Sequence, residues 1–108
     1  MPIFVEDQLI CPIVVLDGKK TVSCLTIGLK DVSTLELYEA RAASKDGEFW
    51  GLHEIAAKGY LVAADGKQYP LLYESLAATS SANFKVIEQL DNTLSLKLKA
   101  ESLLTPSN

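Results

Sequence analysis

Near the start of the chain, two β-branched apolar runs flank one Asp-Gly dipeptide: residues 9–16 (LICPIVVL), Asp17-Gly18, and residues 21–27 (TVSCLTI). Val, Ile and Thr suit a pleated strand, and Asp-Gly supplies the left-handed backbone of a tight hairpin turn. A lone hairpin cannot bury its apolar face, so the rest of the chain must cover it. A two-residue Asp17-Gly18 loop sets Cys11 opposite Cys24; a four-residue loop through Lys20 pairs Ile13 with Cys24. Either register puts both cysteines on one face, because side chains alternate. Pro12 has no N–H to give to a ladder and belongs on an open edge.

Downstream the period changes. Asp31 reads as the N-cap of a helix over 32–43, with Val32, Leu35, Tyr38 and Ala42 on one side. A second helix spans about 48–62. Gly51 and Gly59 would cost it about 1 kcal/mol each against Ala, which points to close packing there. Residues 71–78 form a short helix or turn, and Ser80 or Ser81 caps a last helix carrying Phe84, Ile87, Leu90 or Asp91, and Leu94 on one side. Residues 93–100 (TLSLKLKA) alternate as a strand would, but Leu, Lys and Ala are good helix formers, so the helix is expected to continue. Asp-Gly-Lys occurs at 17–19 and again at 65–67 with different flanks, which is shared turn chemistry rather than a repeat. The expected architecture is one domain, 1–108, of α+β class and mainly α. Its N-terminal β-hairpin (9–27) packs on three to four helices (31–104), with loose ends at 1–8 and 105–108.

Composition narrows the function classes. With 48% hydrophobic residues the chain can fill one modest core. Its net charge is −4 with a single arginine, Arg41, so neither nucleic acid nor an anionic membrane is an expected partner. The acids concentrate in residues 1–54, nine against five bases; residues 55–108 hold five of each. No base precedes Lys19 and the apolar run at 9–16 is too short to span a bilayer, which predicts a cytoplasmic protein with both cysteines as thiols.

No catalytic set emerges from the residues. His53, the only histidine, adjoins Glu54, but neighbours in a helix point in different directions, so it reads as a solvated or half-buried helix residue. Cys11 and Cys24 lack the further ligands of a zinc site and read as buried thiols. Glu36 and Glu39 sit on a solvated face, and no phosphate-cradling glycine motif occurs. The expectation is a non-enzyme with no metal and no cofactor.

Between residues 49 and 92 the order of pieces resembles the tail assembly chaperones of long-tailed bacteriophages. Residues 55–62 resemble that family's apolar helix, Asp65-Gly66-Lys67 its turn, and Tyr69 its aromatic. Leu76 matches the leucine of its short helix, and 84–92 its closing helix. The resemblance implies a chaperone that keeps the helical tape-measure protein soluble until tail-tube protein polymerises round it. It implies residence in the cytoplasm of the bacterial host, absence from the mature virion, possible homo-oligomers and a longer frameshifted form. The alternative is a structural virion component, a tail-completion or head–tail connector protein. Candidate protein-binding residues are Trp50, Leu61, Tyr69 and Leu72, although for each one singly an ordinary core position is the favoured reading.

Overall fold

A computed structural model describes residues 3–104. The chain runs β1 (Phe4–Asp17), β2 (Lys20–Lys30), α1 (Thr34–Ala42), α2 (Trp50–Lys58), β3 (Gly59–Ala63), β4 (Gln68–Pro70), α3 (Tyr73–Ala78) and α4 (Ser81–Leu104). The strands form one antiparallel sheet in the order β1-β2-β3-β4. α4 lies against β1 and β2, while α1 packs on α2 and α2 on α3. The N-terminal hairpin does pack on helices, but the expectation of a mainly α fold is corrected: the hairpin is half of a four-stranded layer, and substantial parts of the chain are strand as well as helix.

The correction lies at residues 59–70, expected to end a helix and enter another. α2 stops at Lys58 because Gly59 takes an extended backbone (φ −89°, ψ 149°). From there β3 pairs along β2, Leu61 opposite Ile27 and Gly59 opposite Leu29. Without it, the inner edge of β2 would leave buried backbone groups unpaired. Asp65-Gly66-Lys67 therefore closes a hairpin, with Gly66 N donating to Ala63 O (2.9 Å) and Ala63 N to Lys67 O (3.0 Å). The apolar helix that the resemblance places at 55–62 is thus half helix and half strand.

Two further expectations change. The arm at 1–8 is strand from Phe4, paired Phe4–Lys30 through Gln8–Thr26; Met1, Pro2 and the tail 105–108 lie outside the described residues. The first helix is capped by Ser33, not Asp31. Ser33 Oγ accepts from Glu36 N (3.1 Å) and Glu36 Oε1 from Ser33 N (3.3 Å), a reciprocal capping box. The last helix does continue, through Leu104.

In the first hairpin Ile13 faces Cys24, one of the two registers expected, but the turn tightens to Gly18-Lys19 between the paired Asp17 and Lys20. The ladder then slips. Five steps along β1, from Gln8 to Ile13, match two along β2, from Thr26 to Cys24. Asn83 of α4, fully buried, fills the gap. Its Oδ1 accepts from Ile10 N (2.8 Å) and Cys11 N (3.1 Å), and its Nδ2 donates to Cys11 O (2.9 Å) and Thr79 Oγ1 (2.9 Å). Pro12, with no N–H to satisfy, sits inside this bulge.

Asn83 heads the stripe Ile87, Leu90 and Leu94, which buries against Ile13, Cys24, Ile27, Leu29 and Leu61. Cys24 is fully buried and Cys11 half-buried, both as free thiols, and burial pushes the Cys24 thiol up. On the other face of the sheet the Tyr60 ring crosses Gly28, where any Cβ would collide with it, and its hydroxyl donates to Glu6 Oε2 (2.7 Å). Burial, then that bond, raises the Tyr60 pKa. The close packing expected at two glycines occurs at Gly59, against Leu71; at Gly51 the space is open.

Candidate protein-binding surface

α1 and α2 contain no buried residue, so this helical pair is held by side chains at its seam rather than by a core of its own. Arg41 makes the seam. Its guanidinium lies 4.3 Å from the Trp50 ring centroid and 5.6 Å from that of Tyr38, and two of its nitrogens donate to Glu54 Oε1 (2.8 and 3.1 Å). A planar cation suits both contacts at once, stacking on a ring face while its edge binds a carboxylate. At its far end α2 is tied to α4 by the ion pair of Lys58 and Asp91.

Between α2 and α4 lies an apolar groove of 540 Å³, walled by Phe49, Trp50, Leu52 and Ile55, with Phe84 of α4 opposite and Glu48 at the rim. Phe49 is 71% exposed and Trp50 52%. Two adjacent aromatics left this open, in a chain with only 7% aromatic residues, form a surface whose burial by a partner would be favourable.

Behind the groove, α2 is fixed to α3. His53 stacks on Tyr73 (4.2 Å between centroids, 12° between planes), and its Nε2 shares a hydrogen bond with Glu48 Oε1 (2.9 Å). Glu48 Oε1 also accepts from Lys45 N (2.9 Å); that bond, and then His53, hold the Glu48 carboxyl below its ordinary range. Phe49 N donates to the Tyr73 hydroxyl (3.3 Å), which completes the positioning of the aromatic pair. His53 is thus a packing residue, and among the described residues no three His, Cys, Asp or Glu side chains come together as a metal-binding set.

The other candidates fall elsewhere. Leu61 is fully buried in β3 and belongs to the core, so it presents no binding surface. Tyr69 is 9% exposed, and its hydroxyl donates to Asp17 Oδ2 (3.0 Å) beside Lys67 Nζ (2.6 Å). Leu72, 53% exposed, borders a separate cleft of 270 Å³ with Val14, Leu16, Tyr69 and Pro70. Trp50 and Leu72 therefore lie on two different apolar patches. Phe49 and Phe84 join Trp50 although neither is among the binding candidates read from the sequence, where Phe84 falls on the apolar side of the last helix; the signal available is the Phe49-Trp50 dipeptide itself.

Among the described residues no helix is long and apolar enough to cross a membrane. No family model matches the chain, nor does any curated protein or solved structure.

Proposed function

We propose that this chain is a non-enzymatic protein-binding domain that shields an apolar segment of a client, acting as a bacteriophage tail assembly chaperone whose client is the tape-measure protein. The observation that carries the binding role is the groove beside Trp50: two exposed aromatics, the Trp50 ring stacked by Arg41, which is itself tied to Glu54, and the Phe49 backbone bonded to Tyr73, over an apolar floor. Pre-positioned aromatics lose little freedom on binding, which is what an anchor for an apolar client requires. The tail assembly assignment rests on the order of turn, aromatic, short helix and closing helix from Asp65 through Asn92.

The test is co-expression with the tape-measure protein encoded by the same phage or prophage, followed by pull-down and a solubility assay. The client should be soluble and co-purify, and Trp50→Ala should weaken the pair by about 30-fold, the equivalent of about 2 kcal/mol. Fixed copies of the protein in purified mature virions would instead favour a structural tail component. Client solubility unchanged by deletion of this chain would remove the chaperone role.

A further inference from the structure

The segment that carries α1 and leads into the α2 wall of the groove also carries the molecule's charge. From Asp31 through Glu54 six acids stand against two bases, which equals the whole net charge of −4; the remaining residues balance, eight against eight. Lys58, the next base, is taken up by Asp91 of α4. Of the six carboxylates, Glu54 is the one in an ion pair with a permanently charged side chain among the described residues, through Arg41. Glu36 is spent on the helix cap, and Glu48, on the groove rim, hydrogen-bonds His53 and the Lys45 backbone N–H and also feels the Lys45 charge. Asp46 and Glu88 are exposed, two residues before Glu48 and one helical turn beyond Phe84, with Lys45 and Lys85 as the exposed bases nearest them in sequence.

We infer that the groove takes a basic amphipathic helix: apolar side chains at i, i+3 or i+4 and i+7 seated on Phe49, Trp50, Leu52, Ile55 and Phe84, flanked by Lys or Arg. This deepens the proposed function and rests on it. A helix fits better than a strand because the walls are α2 and α4, with no sheet edge to extend. α2 spans nine residues, about 13 Å at 1.5 Å per residue, enough for two turns of a partner. A second copy of this chain is a poor occupant, because a two-fold contact through this face would set the acidic segment against itself. An anionic lipid surface is repelled for the same reason.

The probes are three synthetic 18-residue helices with identical leucine anchors and flanking positions filled by Lys and Arg, by Gln and Ser, or by Glu. Trp50, the only tryptophan, reports binding through its own emission. The basic helix should bind at least about ten-fold more tightly than the acidic one at low salt. That advantage should shrink several-fold by about 0.5 M salt, as screening predicts. The double variant Asp46→Lys with Glu88→Lys should reduce the preference at least three-fold. Equal affinity for all three helices, or a preference that survives both salt and the double variant, overturns the charge inference while leaving an apolar binding groove. Absence of any emission change with all three probes overturns both this inference and the groove on which the proposed function rests.

Discussion

Asn83 and Cys11, 72 residues apart, exchange two hydrogen bonds, so a side-chain amide on α4 does for β1 what a neighbouring strand would do. With Ile10 N and Thr79 Oγ1 as its other partners, the amide uses both donors and both acceptor positions. A buried polar group is stabilising only when satisfied in this way, because an orphaned one costs its full desolvation. Asn83→Ala leaves three backbone groups of the bulge without partners, and a loss of about 3 kcal/mol is expected, given about 1–3 kcal/mol per orphaned group and partial rescue by water. Urea unfolding followed by circular dichroism measures it; a midpoint within error of the parent would show that the clamp contributes nothing.

Gly28 and Gly51 respond oppositely to the same substitution. At Gly28 an added methyl meets the Tyr60 ring, which must leave the position from which it reaches Glu6, so Gly28→Ala should destabilise by about 1–3 kcal/mol. At Gly51 nothing lies within 4 Å, and Gly51→Ala should stabilise by up to about 1 kcal/mol through helix propensity. Thermal midpoints of the two variants moving in the same direction would contradict this pairing.

Asp17, Lys67 and Tyr69 should confine one part of the stability to a pH window. Lys67, and then Tyr69, hold the Asp17 carboxyl below its ordinary 3.8, so its contribution is present above that value and disappears as the pH falls through the lowered one. Asp17 raises Lys67 above 10.5. Tyr69 is raised above 10.0, by burial first and Asp17 second. Both contributions are therefore present below those values and lost as the pH rises through the raised ones. Melting temperatures from pH 2.5 to 11 should show both limbs, and Asp17→Asn should flatten each of them. An unchanged acid limb in that variant would show that other carboxylates set it.

Arg41→Ala should free α1 before the rest of the molecule loosens. The helix buries no residue of its own, and Arg41 ties it to α2 through Trp50 and Glu54. Hydrogen exchange over 34–42 should accelerate while that of α4 stays unchanged. Arg41→Lys should restore little, because an ammonium cannot stack and form the two-nitrogen contact together. Equal protection of α1 in parent and Arg41→Ala would place its anchor elsewhere.

The two Asp-Gly-Lys tripeptides illustrate what was legible. Both close antiparallel hairpins, but only the first is flanked by runs long and β-branched enough to announce strands. The second joins a five-residue strand, GYLVA, to a three-residue one, too short for period two to separate from helical spacing. β3 is a strand because β2 lies beside it, and the paired residues are 30 to 39 positions apart, from Leu29–Gly59 to Cys24–Ala63. Residues 93–100 alternate as a strand would, yet they continue the helix as their helix-forming composition predicts, and Leu94 completes the stripe of Ile87 and Leu90 that holds it on the sheet. At the groove, Trp50 and its exposed neighbour Phe49 are local facts, whereas Phe84 reaches them only through the tertiary fold. Leu61 could not be told from a surface leucine until β3 was known to lie in the middle of a sheet.

The long reach of Asn83 bears on the order in which the protein is made. A ribosome adds about 5–20 residues per second, and chains begin to fold as they emerge. β1 therefore leaves the exit tunnel seconds before the amide that finishes it, carrying an incomplete edge of the kind that recruits other strands. A nascent chain stalled or truncated ahead of α4 would keep that edge open, so vectorial synthesis leaves this fold most vulnerable to aggregation just before its last helix arrives.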